Sequence, residues 1–352
     1  MHVDQILLAA TERDASDIHL IVGQPPLARI HTLMEPLEGF PVISTEEGRQ
    51  MLEQIACPQT LQRLQDHRDA DFSYHLTGVG RFRVNAHFQR GGIGIAMRAI
   101  KNNVPPLMDL ALPEVVNRLV HLPRGLILVT GNTGSGKSTT LASMIHEMNG
   151  LYGHHVITLE DPIEYELTSE RCVIEQREVG PDVASFASGL RHALRQDPDV
   201  ILVGEMRDLE TTSAAITAAE TGHLVLSTLH TVSAARTVDR IIDMYPAAQQ
   251  GQIRTMLAST IQAIIGQTLI KRIDRPGMVP AVEILLATPA VRNLIRENRT
   301  FEIRNVIETS RAMDMTTLDH SLAQLYFNGV ISRDDAISQA LYPEQLERSI
   351  GM

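Results

Sequence analysis

Cysteine is nearly missing from this 352-residue chain: only Cys57 and Cys172 occur, with no C-x-x-C spacing. That argues against a disulfide framework or a cysteine-built zinc site, and it fits a reducing compartment such as the cytoplasm. Hydrophobic runs are short as well. None approaches the roughly 18 residues of a membrane-spanning helix, so any membrane association is expected to come through partners. The stretch from Met1 to Arg13 lacks the basic start and continuous apolar core of a signal peptide. Aromatic residues make up only 4%, and 31 basic against 42 acidic residues leave a net charge of -11. With no basic–aromatic stripes, that balance argues against a surface that coats nucleic acid. What remains, 43% hydrophobic and 21% charged residues, is the make-up of a globular protein long enough for two domains and a large core.

One segment carries chemistry by itself. Gly131, Asn132, Thr133, Gly134, Ser135, Gly136, Lys137, Ser138 and Thr139 fit G-x-x-x-x-G-K-[ST], the phosphate-binding P-loop. The apolar run 125–130 before it reads as a buried strand. The pattern from Ser138 to Asn149 reads as a helix stopped by Gly150. Glycines let successive N–H groups point at phosphate oxygens, and the helix N-terminus adds partial positive charge. Lys137 is placed to reach the β- and γ-phosphates, and the Ser138 hydroxyl to ligate Mg²⁺.

Around this motif the chain falls into two parts. Residues 1–101 read as a small α+β domain, with a helix from Ile6, strands at 18–22 and 27–30, and a helix at 45–56 opened by a Thr45 cap. A meander of strands follows at 71–76, 81–89 and 93–100. Residues 102–110, rich in Asn and Pro, read as a linker and hinge. Residues 111–352 read as strand–helix alternation, the signature of a mostly parallel sheet covered by helices. Its strands are expected at 126–130, 156–159, 200–203 and 224–228. Beyond Pro246 the pattern is mainly helical, broken by one strand-like run at 279–286, and Ser332 opens a late helix.

Three later segments place polar groups at the ends of those strands, where ligands bind in open α/β sheets. Glu160, Asp161 and Glu164 follow the strand at 156–159. A carboxylate there can orient or deprotonate an attacking water. The strand at 200–203 ends in Gly204 and Glu205, where a Walker B element usually carries a metal-side Asp before its acid; Glu205 must do the acidic work. The strand at 224–228 leads to His230 and Thr231, placed to sense a γ-phosphate by hydrogen bonding. In the first domain Arg81, Arg83, Asn85, His87 and Gln89 alternate with Phe82, Val84, Ala86 and Phe88. Taken by itself, that pattern is best explained by a one-sided sheet with a wet face; the sharper reading is of arginine fingers reaching a neighbouring subunit's nucleotide.

Together these segments resemble the type IV pilus retraction ATPases, the PilT family of the secretion ATPase superfamily, over nearly the whole chain. Ala15 to Leu20 is similar to the family's start, residues 131–139 to its Walker A, 160–164 to its Asp box, 195–208 to its Walker B, and 221–231 to its His box. Residues 290–297 are similar to the A-I-R-N-L-I-R-E signature of the retraction branch, with Val291 for Ile. Residues 308–314 depart from it, lacking the glycines the family often has there. The resemblance implies a PAS-like N-terminal domain, a RecA-like P-loop ATPase domain with a helical C-terminal region, and ATP and Mg as cofactors. It implies a cytoplasmic homohexamer docked on an inner-membrane pilus platform protein, alongside a possible related accessory ATPase. Glu164 is then the catalytic carboxylate, Glu205 the Walker B acid, His230 the γ-phosphate contact, and Arg81 and Arg83 candidate charge stabilisers. A RecA-like nucleic-acid translocase and an accessory paralogue with little turnover are the competing readings.

Overall fold

The computed structural model describes residues 1–30, 33–100 and 103–351. Lys101, the last residue of the expected first domain, and Asn102, the first of the expected linker, lie outside them. The chain divides into two compact units, Met1–Asn103 with Glu164–Glu166, and Val104–Ile163 with Leu167–Met352.

The first unit is an antiparallel sheet with helices. Its strands are β1 (Asp17–Ile21), β2 (Leu27–Ile30), β3 (Leu33–Pro36), β4 (Asp69–Leu76), β5 (Gly80–Gln89) and β6 (Gly92–Ala99). They lie in the order β3-β2-β1-β6-β5-β4. The period-two pattern of β5 becomes burial directly: Phe82, Val84 and Ala86 are buried while Arg81, Arg83, Asn85 and His87 are not. Phe88 departs from the expected apolar row. It is exposed at the strand end, with the Arg68 guanidinium 4.9 Å from its ring centre. The helix Thr45–Ile55 is capped by Ser44, not by Thr45 as the sequence suggested. Ser44 Oγ accepts from the Glu47 amide at 3.2 Å, and the Glu47 carboxylate accepts from the Ser44 amide at 2.9 Å. This reciprocal box satisfies two amides at once, which Thr45 one position later cannot do.

The second unit is wound around a seven-stranded sheet. Its strands are β7 (Gly125–Thr130), β8 (His155–Glu160), β9 (Val173–Glu178), β10 (Val200–Val203), β11 (Leu224–Leu229), β12 (Ile261–Lys271) and β13 (Met278–Leu286). The order is β13-β12-β7-β11-β10-β8-β9, parallel throughout except for the β12–β13 pair. Leu126 and Leu128 of β7 enter one apolar cluster, Ile127 and Val129 the other. A strand buried on both faces leaves only its tip for polar chemistry. The five central parallel strands, numbered in chain order, run 5-1-4-3-2, the RecA-like arrangement. C-terminal helices pack Leu318, Leu322 and Leu346 against Ile270, Val279 and Ala281 of β12 and β13.

Two expectations are corrected here. The helix after the P-loop runs Lys137–Leu151, through Gly150, and closes with the Tyr152 amide on the Met148 carbonyl. An exposed glycine costs a helix only about 1 kcal/mol, too little to end one anchored by buried Met144, Ile145 and Met148. The stretch after Pro246 also contains a second strand, β12. The helix Ala247–Thr260 passes straight into it with no Gly or Pro between, and burial on both faces erases the period-two signal. In the glycine-poor segment near 310, Asp314 takes the left-handed position itself, at φ 65°, and pairs with Arg118.

Candidate nucleotide site

The P-loop is the turn from β7 into the helix Lys137–Leu151. Gly131, Gly134 and Gly136 have φ of 141°, 79° and 88°, a region closed to most side chains. At Gly131 the need is absolute: a Cβ there would lie 2.2 Å from the Gln267 carbonyl oxygen on β12. Asn132, Thr133 and Gly134 are exposed at the rim, while Ser135 and Lys137 are buried. The Lys137 ammonium donates to the carbonyls of Gly131 at 2.9 Å and Asn132 at 3.0 Å, so the cation is held across the mouth of the loop. Ser138 and Thr139 are half-buried in the first turn of that helix, where the helix dipole favours an anion.

β11, beside β7, and β10, the next strand beyond it, bring the imidazole and the acid together. β10 ends at Val203, and Gly204 follows with its amide on the Leu159 carbonyl at 2.8 Å. A Cβ on Gly204 would stand 3.2 Å from that carbonyl oxygen and 3.4 Å from the Phe186 ring. The crowding accounts for glycine where an Asp is usual. Glu205 is next, its side chain 15% exposed, with Arg207 Nε donating to one carboxyl oxygen at 2.6 Å and His230 Nε2 lying 3.3 Å from the other. Thr228 Oγ1 donates to the Gly204 carbonyl at 2.7 Å, and Ser227 Oγ to that of Val203 at 2.7 Å. These bonds lock the tips of β10 and β11 in step, which is what aims His230 at Glu205.

The three acids after β8 behave differently. Glu160 is the last strand residue and accepts from Thr158 Oγ1 at 2.7 Å and Gln176 Nε2 at 3.1 Å. Asp161 and Glu164 are exposed. Among the described residues Glu164 makes no hydrogen bond or ion pair. In the first unit, Arg81 is half-buried and donates to Ser73 Oγ at 2.8 Å, while Arg83 is exposed beside Arg98 of β6 in the strand register.

The two residues expected to hold a metal, Ser138 in the first helical turn and Glu205 after β10, both offer oxygen. That set fits Mg²⁺, which takes one or two protein oxygens and completes its shell with phosphate and water. Residues behind the loop were not anticipated. Gln267 and Glu283, on β12 and β13, are 4% and 5% exposed. The signal for Glu283 was present in the sequence, as one carboxylate inside the apolar run 279–286.

A family model described as "Type II/IV secretion system protein" matches residues 68–311. The chain belongs to that family. It is 44% identical over 344 residues to the type IV pilus retractation ATPase PilT of Pseudomonas aeruginosa, covering 98% of this chain and 99% of that protein. It is 45% identical over 321 residues to the twitching motility protein of Neisseria gonorrhoeae, covering 91% and 86%. The crystal structure of the pilus retraction motor PilT with bound ADP superposes with a TM-score of 0.93 at 44% identity over 99% of each chain. Like that structure, this secretion-family chain joins an N-terminal β-rich unit to a P-loop unit with helices at its C-terminal end.

Proposed function

We propose that this secretion-family protein is an ATP-hydrolysing motor that powers type IV pilus retraction and twitching motility. One observation carries the reading: a P-loop with a buried lysine follows β7, and the next two strands of the same parallel sheet, β11 and β10, lead to an imidazole and an acid 3.3 Å apart. Phosphoryl transfer needs positioning and charge neutralisation and little covalent work by the protein. The loop amides and Lys137 hold the phosphates, and Ser138 and Glu205 hold the ion. His230 reads the γ-phosphate while contacting Glu205. Glu164, exposed and uncommitted, is the carboxylate that orients the attacking water. Mg²⁺, when bound, neutralises charge on the β- and γ-oxygens.

The motor works as a homohexamer in the cytoplasm, docked on an inner-membrane pilus platform protein, with Arg81 and Arg83 serving a neighbouring subunit's nucleotide. Full-length likeness to a retraction ATPase supports this assignment. Deleting the gene and scoring surface pili tests it: excess, immobile pili are expected, and a bald cell would overturn retraction in favour of assembly. Phosphate release by the purified protein, with and without Mg²⁺, tests the enzyme itself.

A further inference from the structure

Behind the P-loop three strands place Thr130, Gly266 and Glu283 in one register row, across β7, β12 and β13. Gly266 contributes no side chain, and a cavity of about 20 Å³ lies there, lined among others by Gly131, Thr231, Gln267, Glu283 and Leu318. That is the space one water needs. Thr130 Oγ1 and Gln267 Oε1 are buried and have no hydrogen-bond partner among the described residues. A polar chamber thus touches the first residue of the loop from behind.

Glu283 is the charged group in that chamber, and its contacts reach two helix starts. Its Oε1 accepts from the amide of Ala234 at 2.7 Å. Ala234 is the first residue of the helix Ala234–Asp243, only four positions after His230. The amide of Leu318, first in the helix Leu318–Phe327, also favours the ionised carboxyl, as does Arg304; Asp319 opposes it. Burial outweighs these and pushes the Glu283 carboxyl above the usual carboxylate range. A buried acid is costly unless it is hydrogen-bonded, and the bond that offsets the cost here is the one to the Ala234 amide. The turn it holds is the one that carries His230.

We propose that Glu283 is a positioning residue for hydrolysis: from β13 it fixes the 231–234 turn, and through it the approach of His230 to Glu205. This deepens the ATPase reading and rests on it. Glu283 touches no reacting atom, so its loss must appear in turnover and not in nucleotide binding.

Two substitutions test it. Glu283→Gln replaces one carboxyl oxygen by a donor facing a backbone N–H. Ala234→Pro removes the donor itself, at a first-turn position where proline is tolerated and after Ser233, which is already extended. Both are expected to lower kcat at least about tenfold, with KM and ADP affinity within about twofold of wild type. Hydrogen exchange in the peptide spanning Thr231–Thr237 is expected to accelerate in Glu283→Gln. If one variant fails to fold, the other decides. Wild-type kcat in both, or a loss confined to KM, overturns the proposal, as does unchanged exchange in that peptide. A wild-type protein that turns over no ATP sinks the ATPase reading instead, and the exchange result still judges the role of Glu283 in holding the turn.

Discussion

In the second unit β7, β10 and β11 are buried on both faces, so chemistry is confined to strand tips. In the first unit β5 keeps one wet face, and its arginines stand along the strand. The difference shows in how tightly each side chain is held. Lys137 is 8% exposed and bonded to two carbonyls, and the Glu205 side chain is 15% exposed between Arg207 and His230. Arg83 is exposed, and Arg81 has Ser73. The tips are organised before substrate arrives. Side chains on the wet face keep more freedom, and ordering them costs side-chain entropy.

The largest test of that contrast falls on the second unit and its adjoining loop. Lys137→Ala and Glu164→Gln are each expected to cut phosphate release by about 10³-fold or more with the fold intact by circular dichroism. They should part in binding: Lys137→Ala weakens nucleotide affinity, whereas Glu164→Gln retains it. Wild-type turnover in Glu164→Gln would transfer the water-orienting role to another acid.

Arg83→Ala comes next, with an expected loss of about 10²-fold, the worth of one charge-stabilising donor. Arg81→Ala should cost less, because Arg81 already serves Ser73. Mixing sharpens the comparison. If Arg83 serves a neighbour, then Arg83→Ala subunits mixed with Lys137→Ala subunits should regain activity, each supplying what the other lacks. Equal activity in the mixture and the parents would reduce the arginines to a wet face. His230→Ala follows at about tenfold, since Glu205 keeps Arg207 when the imidazole is gone.

How far the sequence foretold this depends on where each signal lies. The P-loop was legible because its glycines, lysine and hydroxyl sit in one local run whose spacing is set by backbone geometry. The strands β7, β8, β10 and β11 were legible as short apolar runs between helices. β12 was hidden because Ile264 and Ile265 are buried side by side, so no alternation marked the strand, and no turn residue separated it from the helix before. Glu205 was singled out from its place at a strand end. Its contact with His230 and the reason for Gly204 were not, because both depend on the register between β10 and β11 and on where Phe186 packs. Glu283 lies 146 residues from the P-loop lysine (283 minus 137), and only strand pairing brings its neighbourhood to the loop.

The smallest effect belongs to the first unit alone. Ser44→Ala removes the capping box of the helix Thr45–Ile55, whose Met51, Leu52 and Ile55 are buried in that unit's core. It should lower stability by about 1 kcal/mol in urea unfolding, while kcat per folded molecule stays at the wild-type value. The cap lies in neither the strand tips nor the arginine face, so it separates carrying the arginines from tuning them. A fall in kcat without Arg83 being touched would mean that the packing of this unit sets the arginine geometry. The wet face would then be organised in advance after all, and the contrast between the two sheets would narrow to one of exposure.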